Sequence, residues 1–267
     1  LLQVSNSNNG VDTTARAVSD GEGTASLLYL STTDVYNPGT GGTSNTAFGK
    51  NAGNTLETGG NYNAFFGEDA GTANTTGDSN VAVGYLALGA NNTATGGVAV
   101  GANALDANTT GARNTAVGQD SLGTNTEGND NVAIGNSALE ANLTGSDNVA
   151  IGRVALNANT ASNNIGIGKD ALAANTIGNT NVAIGTDAMT TNVAADRNVA
   201  VGEQALQNMT AASTTDTYNT AVGYNAGLSV NSGVNNTLIG GLAGDGMTSG
   251  GNNTAVGYLS LSAVCTG

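Results

Sequence analysis

Any chemistry in this chain would have to come from carboxylates, hydroxyls and amides, because it has no histidine and a single cysteine, Cys265. The lack of histidine removes Ser-His and Cys-His nucleophilic catalysis and imidazole metal sites. The one adjacent acidic pair, Glu68-Asp69, has the residue types of a glycosidase. Glycoside hydrolysis needs two carboxyls facing each other across a cleft, and this pair sits on the turn of a repeat, where a solvated turn is the better reading. Asp78, Asp130, Asp147 and Asp196 recur in a second turn. One carboxylate per coil falls short of the roughly six to eight oxygens that calcium takes. The many glycines include no Gly-Lys-Ser/Thr, so a phosphate-binding loop is not expected. The expectation is no catalytic residue, no cofactor and no metal.

The charge balance, 6 Lys+Arg against 20 Asp+Glu for a net −14, argues against nucleic acid as a partner, since no basic cluster exists to meet phosphates. Attraction to an anionic membrane surface is not expected, for the same reason. No apolar run is long enough to span a bilayer, so membrane insertion is not expected, and no signal peptide is evident. Cys265 has no partner for an intrachain disulfide. Both ends read as cut from something longer.

What must position any functional group is a repeat. The pentapeptide Asn-x-Ala-x-Gly recurs, closing at Gly49, Gly67, Gly84, Gly101, Gly118, Gly135, Gly152, Gly168, Gly185, Gly202, Gly223, Gly240 and Gly257. Nine of the twelve intervals are 17 residues, and the others are 18, 16 and 21. Such register separates the chain from disordered polar tracts. The second and fourth positions are apolar or Thr, as in Val132 and Ile134, or Val149 and Ile151. β-Branched residues two apart predict a short strand with this pair on one face and Asn, Ala and Gly on the other. An Ala-Leu segment follows (Ala104-Leu105, Ala138-Leu139, Ala155-Leu156, Ala171-Leu172). It reads as a second brief strand whose Leu meets the Val/Ile pair inside the coil. A helix is disfavoured, because each glycine would cost about 1 kcal/mol relative to Ala.

The opening asparagine is present in twelve of thirteen units, Gly97 replacing it once. Stacked coils would make it a ladder of amides, represented by Asn114, Asn131, Asn148, Asn181 and Asn198. A second column runs through Asn74, Asn91, Asn108, Asn125, Asn142, Asn159, Asn175 and Asn192. The Asn/Ala/Gly face, expected to point outward, would be a flat strip of small residues on which another copy could pack, most plausibly about a threefold axis.

Residues 1–42 lack the repeat and are expected to be a small N-terminal β element or connector, with residues 43–267 the solenoid. Two places break the rhythm. Over 41–71 phenylalanines (Phe48, Phe65, Phe66) appear while the Leu column becomes Gly53 and Gly71, which predicts compensation within the core. Over 207–218 four extra residues are expected to protrude as a loop. Met209, Thr210, Ser213, Asp216 and Tyr218 are the candidate surface-recognition residues there, although a tolerated insertion is the commoner case. Tyrosines gather toward the two ends and could stack on sugars.

Asn-Val-Ala-Ile-Gly at 131–135, 148–152 and 181–185 resembles the repeat of the YadA-like head of trimeric autotransporter adhesins. That head folds as a trimer of parallel β-rolls, with a shorter unit than this one. The longer unit, with Ala-Leu-x-x-Asn-Thr-x-Gly, looks more like repeats of bacteriophage tail-fibre proteins. The leading segments at 2–6, 20–26 and 28–32 are also similar to those of tail fibres. The resulting expectation is an all-β protein, a parallel β-solenoid (β-roll) of about thirteen 17-residue coils assembled as a homotrimer. The resemblance implies a structural, non-enzymatic segment of a virion tail fibre that spaces or presents a host-receptor-binding tip. Its partners would be itself, other virion or fibre proteins, and a host cell-surface glycan or protein. The alternative is the head of a bacterial adhesin at the cell surface, binding a host surface or glycan. An ice-binding solenoid would need a more regular Thr array, and a polysaccharide depolymerase is the weakest reading.

Overall fold

A computed structural model describes residues 42–57, 59–210 and 215–262, together with the backbone of four short strands nearer the N-terminus. Those four, Gln3–Val4, Arg16–Ser19, Ala25–Leu30 and Val35–Tyr36, form an antiparallel sheet in sequence order. The rest is a parallel β-solenoid. Thirteen three-residue strands, from Thr46–Phe48 to Thr254–Val256, stack in sequence order into one sheet. Each residue pairs with its equivalent in the next repeat, as Val132 does with Val149 and Ile134 with Ile151. Thirteen strands make twelve full turns, so at about 4.8 Å per turn the rod is about 58 Å long.

The strand faces are the reverse of the sequence expectation. The central alanine points inward and is buried in nearly every coil, while the Val/Ile pair points outward and stays half-buried or exposed. The period of two in the sequence says that these residues lie on opposite faces without saying which face is inside. Interior volume decides it. The opposite wall sends Leu88, Leu105, Leu122, Leu139, Leu156, Leu172 and Leu206 inward, all fully buried, and between two such close walls only a small residue fits opposite a leucine.

The exceptions support this. Phe65 stands where alanine usually does, and the leucine of its own coil and of the coil before are Gly71 and Gly53. A Cβ on Gly71 would lie 2.7 Å from Phe65 ring atoms, and one on Gly53 2.9 Å from them. Leu238 repeats the exchange near the other end, against Gly227 and Gly244. The expected compensation is therefore present at Phe65. Phe48 and Phe66 lie outside, stacked with ring centroids 5.4 Å apart.

The second wall is not a strand. Residues such as Ser137 (φ 53°) and Leu139 (φ 54°) are left-handed, so the pleat cannot continue, yet the wall still bonds from coil to coil, Leu139 N–H to Ala155 O at 2.9 Å and Ala141 N–H to Asn157 O at 2.9 Å. The closing glycine has φ near 135°, as at Gly135 and Gly152, a region open essentially to glycine alone. A Cβ on Gly135 would also lie 2.5 Å from Gly152 O.

Candidate functional site

The asparagine columns line the interior. The opening asparagines from Asn45 to Asn236 are buried, and most of them make two kinds of bond. The Oδ1 accepts the backbone N–H of the counterpart in the next coil: Asn131 N–H to Asn114 Oδ1 is 2.9 Å, Asn148 to Asn131 3.0 Å, and Asn198 to Asn181 3.0 Å. The Nδ2 crosses the coil to the carbonyl of the second turn, as from Asn131 to Gly145 O at 2.9 Å and from Asn181 to Ala195 O at 2.8 Å. One side chain thus bonds coil to coil and ties the start of each strand to the far turn. A buried backbone group left unpaired costs about 1–3 kcal/mol, which explains why a polar residue belongs inside.

In the second column, Nδ2 donates to the preceding Oδ1, for example Asn125 to Asn108 at 2.8 Å and Asn192 to Asn175 at 2.7 Å. The 16-residue coil interrupts it. Asn159 donates instead to Ala161 O at 2.8 Å, and Asn142 Oδ1 is left buried without a partner. Toward the ends the column turns apolar, with Leu56 at one end and Met209, Val230 and Met247 at the other, all buried.

A third ladder lies in the second turn, where sequence reasoning had seen only a candidate calcium column. In most coils up to Asp196 a side-chain oxygen accepts a backbone N–H of the preceding coil: Asn61 N–H to Asp78 Oδ1 2.6 Å, Ala112 to Asn129 Oδ1 2.8 Å, Ser146 to Ser162 Oγ 2.9 Å, and Asn179 to Asp196 Oδ1 2.6 Å. Asn, Asp and Ser all serve, and that chemical variety hid the column from a search for one residue type. Asp130 instead holds Arg113 with two bonds, at 2.6 and 2.7 Å. The guanidinium keeps the Asp130 carboxyl below the usual carboxylate range, and the carboxylate raises Arg113 in turn. Among the described residues no group of three or more Asp, Glu, His or Cys converges as a metal site would require.

The candidate recognition residues of the insertion are dispersed. Met209 is fully buried in the core and cannot face a receptor, because it occupies the interior column that asparagine fills elsewhere. Thr210 is exposed, and Ser213 lies outside the described residues. Thr215–Asp216 pairs in parallel with Ala195–Asp196, which returns the chain to the solenoid. Asp216 is ion-paired with Arg197 and accepts the Tyr218 hydroxyl at 3.0 Å, while the Arg197 guanidinium lies 5.7 Å from the Tyr218 ring centre. Elsewhere Tyr62, Tyr85, Tyr224 and Tyr258 are exposed.

Glu68 of the adjacent acidic pair is bonded to Lys50 at 2.8 Å, and Asp69 to Asn51 at 2.8 Å. Both pairings link the turns of successive coils. All five basic side chains among the described residues are paired with an acid in this way.

The largest continuous feature is the outward sheet face, two columns over thirteen strands. Its leading column reads Thr46, Ala64, Val81, Val98, Thr115, Val132, Val149, Ile165, Val182, Val199, Thr220, Thr237 and Thr254. The trailing column is apolar throughout, from Phe48 through Ile134 and Ile184 to Val256. No position in either column is charged. Several side chains of the trailing column are nearly two-fifths exposed, Ile134 at 38% and Val83 at 39%. The sequence contained both columns, but the inverted faces concealed them as core. No helix among the described residues is long and apolar enough to cross a membrane. No family model, curated protein or solved structure matches this chain.

Proposed function

We propose that this chain is a structural segment of a homotrimeric fibre of the tail-fibre kind, a virion component that spaces or presents a host-receptor-binding tip. The observation that carries this reading is the unbroken thirteen-strand stack with its interior amides bonded from coil to coil. Such a rod resists bending and shear through hydrogen bonds in every turn, and its length grows with repeat number. The acidic turns keep it soluble without offering a surface for nucleic acid. Its partners in this reading are two further copies, other fibre proteins, and at most a cell-surface glycan or protein. We propose no catalytic role.

A second reading, the head of a bacterial adhesin at the cell surface, draws on the exposed rings of Tyr62, Tyr85, Tyr224 and Tyr258. Exposed aromatics suit stacking on sugars, and this reading makes the segment itself the receptor contact. Light scattering on the undenatured protein tests the assembly: a mass near three times 25.9 kDa is expected, and a monomer at all concentrations would overturn the trimer. Binding of the labelled rod to intact cells separates the two readings. A spacer leaves the cells unlabelled, and an adhesin head labels them in a manner that free glycans compete away.

A further inference from the structure

We propose that the rod has a built-in opening point at the second turn between the coil at 131–147 and the coil at 148–163. The two turns part there and admit water, while the strands and the second wall stay joined. This concerns the single chain and holds whatever the rod assembles with.

The cause is one missing residue. The coil at 148–163 has 16 residues, and the shortening falls between Thr160 and Ala161, where the preceding coil carries Thr144. In six coils two successive N–H groups of this turn grip a single carbonyl of the next coil. Thr126 and Glu127 reach Leu143 O at 2.9 and 3.3 Å, and Thr176 and Ile177 reach Val193 O at 3.0 and 3.1 Å. The shortened turn does not bring Thr160 O to that place, so Leu143 and Thr144 N–H donate to no backbone carbonyl. A threonine hydroxyl reinforces the grip in the flanking coils, from Thr126 to Leu143 O and from Thr176 to Val193 O, both at 3.1 Å. Leucine at 143 has no hydroxyl to give.

Behind the turn, the interior amide column fails at the same step. Asn142 donates down the column to Asn125 Oδ1 at 3.0 Å, and Asn175 donates to Asn159 Oδ1 at 2.7 Å. Between them Asn159 turns to Ala161 O of its own turn, and the Oδ1 of fully buried Asn142 has no partner. A buried acceptor without a partner favours any state in which water reaches it.

The rest of the step is closed. Val132 pairs with Val149 and Ile134 with Ile151, Leu139 N–H reaches Ala155 O at 2.9 Å, and Asn148 N–H reaches Asn131 Oδ1 at 3.0 Å. At the turn itself three bonds hold: Ser146 N–H to Ser162 Oγ at 2.9 Å, Asn163 N–H to Ser146 O at 3.1 Å, and Asn148 Nδ2 to Ala161 O at 2.9 Å. A thinly bonded edge beside a fully bonded one opens as a hinge, at a fraction of the cost of global unfolding. The step at Val193 also lacks the two-fingered grip, but the parallel pair Ala195–Asp196 with Thr215–Asp216 closes it.

Native-state hydrogen exchange on the full chain tests this at amides that are bonded in the closed rod. Ser146 and Asn163 are expected to exchange roughly tenfold to a hundredfold faster than Asn129 and Asp147, which make the same two bonds one coil earlier, both at 3.0 Å. Val132 and Leu139, which span the same step on the other two sides, are expected to stay as protected as their counterparts in neighbouring coils. Equal rates at the four turn amides would overturn the opening, and fast exchange at Val132 and Leu139 would replace the hinge by a general break. Inserting one threonine between Thr160 and Ala161 restores the 17-residue coil. It is expected to slow Ser146 and Asn163 to their neighbours' rates and to raise the melting temperature by about 2–4 °C, whereas the same insertion between Thr126 and Glu127 lowers it. An insertion at 160 that destabilises like the control, or prevents folding, would overturn the missing residue as the cause.

Discussion

Exchanging the interior of one coil between its two walls tests the packing argument directly. Phe65 is fully buried, and its ring takes the space that leucine would fill at Gly71. Phe65→Ala should cost about 3–5 kcal/mol through lost burial and the cavity left behind. Gly71→Leu alone puts a Cβ 2.7 Å from three ring atoms of Phe65 and should cost about 1–3 kcal/mol by overpacking. It adds about 1–2 kcal/mol for a left-handed leucine, a conformation that leucine already holds at Leu139 (φ 54°) and Leu172 (φ 53°). Together the two changes rebuild the ordinary Ala-and-Leu coil. The double variant should therefore lose only about 1–2 kcal/mol, several less than the summed single losses. Because long repeat arrays can unfold piecemeal, the assay is native-state hydrogen exchange at the Gly71 amide, which donates to Ala87 O at 2.9 Å, alongside denaturant unfolding by circular dichroism. Additivity within about 0.5 kcal/mol would refute the claim that the two walls compete for one volume.

Gly135→Ala should destabilise by about 1–3 kcal/mol from backbone strain alone, and by more once the contact with Gly152 O is relieved; a melting temperature unchanged from the parent would contradict the geometry. Asn131→Ala removes a rung that bonds both Asn148 N–H and Gly145 O, so a loss of about 1–3 kcal/mol per stranded group is expected, with faster exchange at the Asn148 amide. Half-buried Asp106 has its carboxyl raised above the usual range, chiefly by burial. The folded state therefore holds that proton to higher pH than the unfolded chain, and stability falls as pH rises through the window above the normal carboxylate value. Asp106→Asn should accordingly raise the melting temperature at pH 7 and leave it unchanged at strongly acid pH, whereas an equal gain at both would show that the charge is not responsible.

The repeat, its strand, its turns and the asparagine stacking could all be read in the chain, because each is written as one residue type at a fixed spacing. The Phe65 exchange was legible too, since a large residue and two missing leucines fall in neighbouring columns. The second-turn ladder through Asn61, Asp78, Asn129 and Ser162 escaped notice, because a backbone N–H donates equally to any short side-chain oxygen and no single letter marks the column. Met209 was misplaced by its neighbourhood: it sits beside an insertion, yet it occupies an interior column.

By itself, then, the sequence determined the period, the all-β solenoid and which residues share a face. It did not determine which of the two faces points inward. That sign depends on the distance between the walls, which are brought together only when the coil closes, and on the leucines arriving from the second wall. With that space filled, alanine and asparagine had to turn in, and valine and isoleucine were left outside to meet whatever covers them.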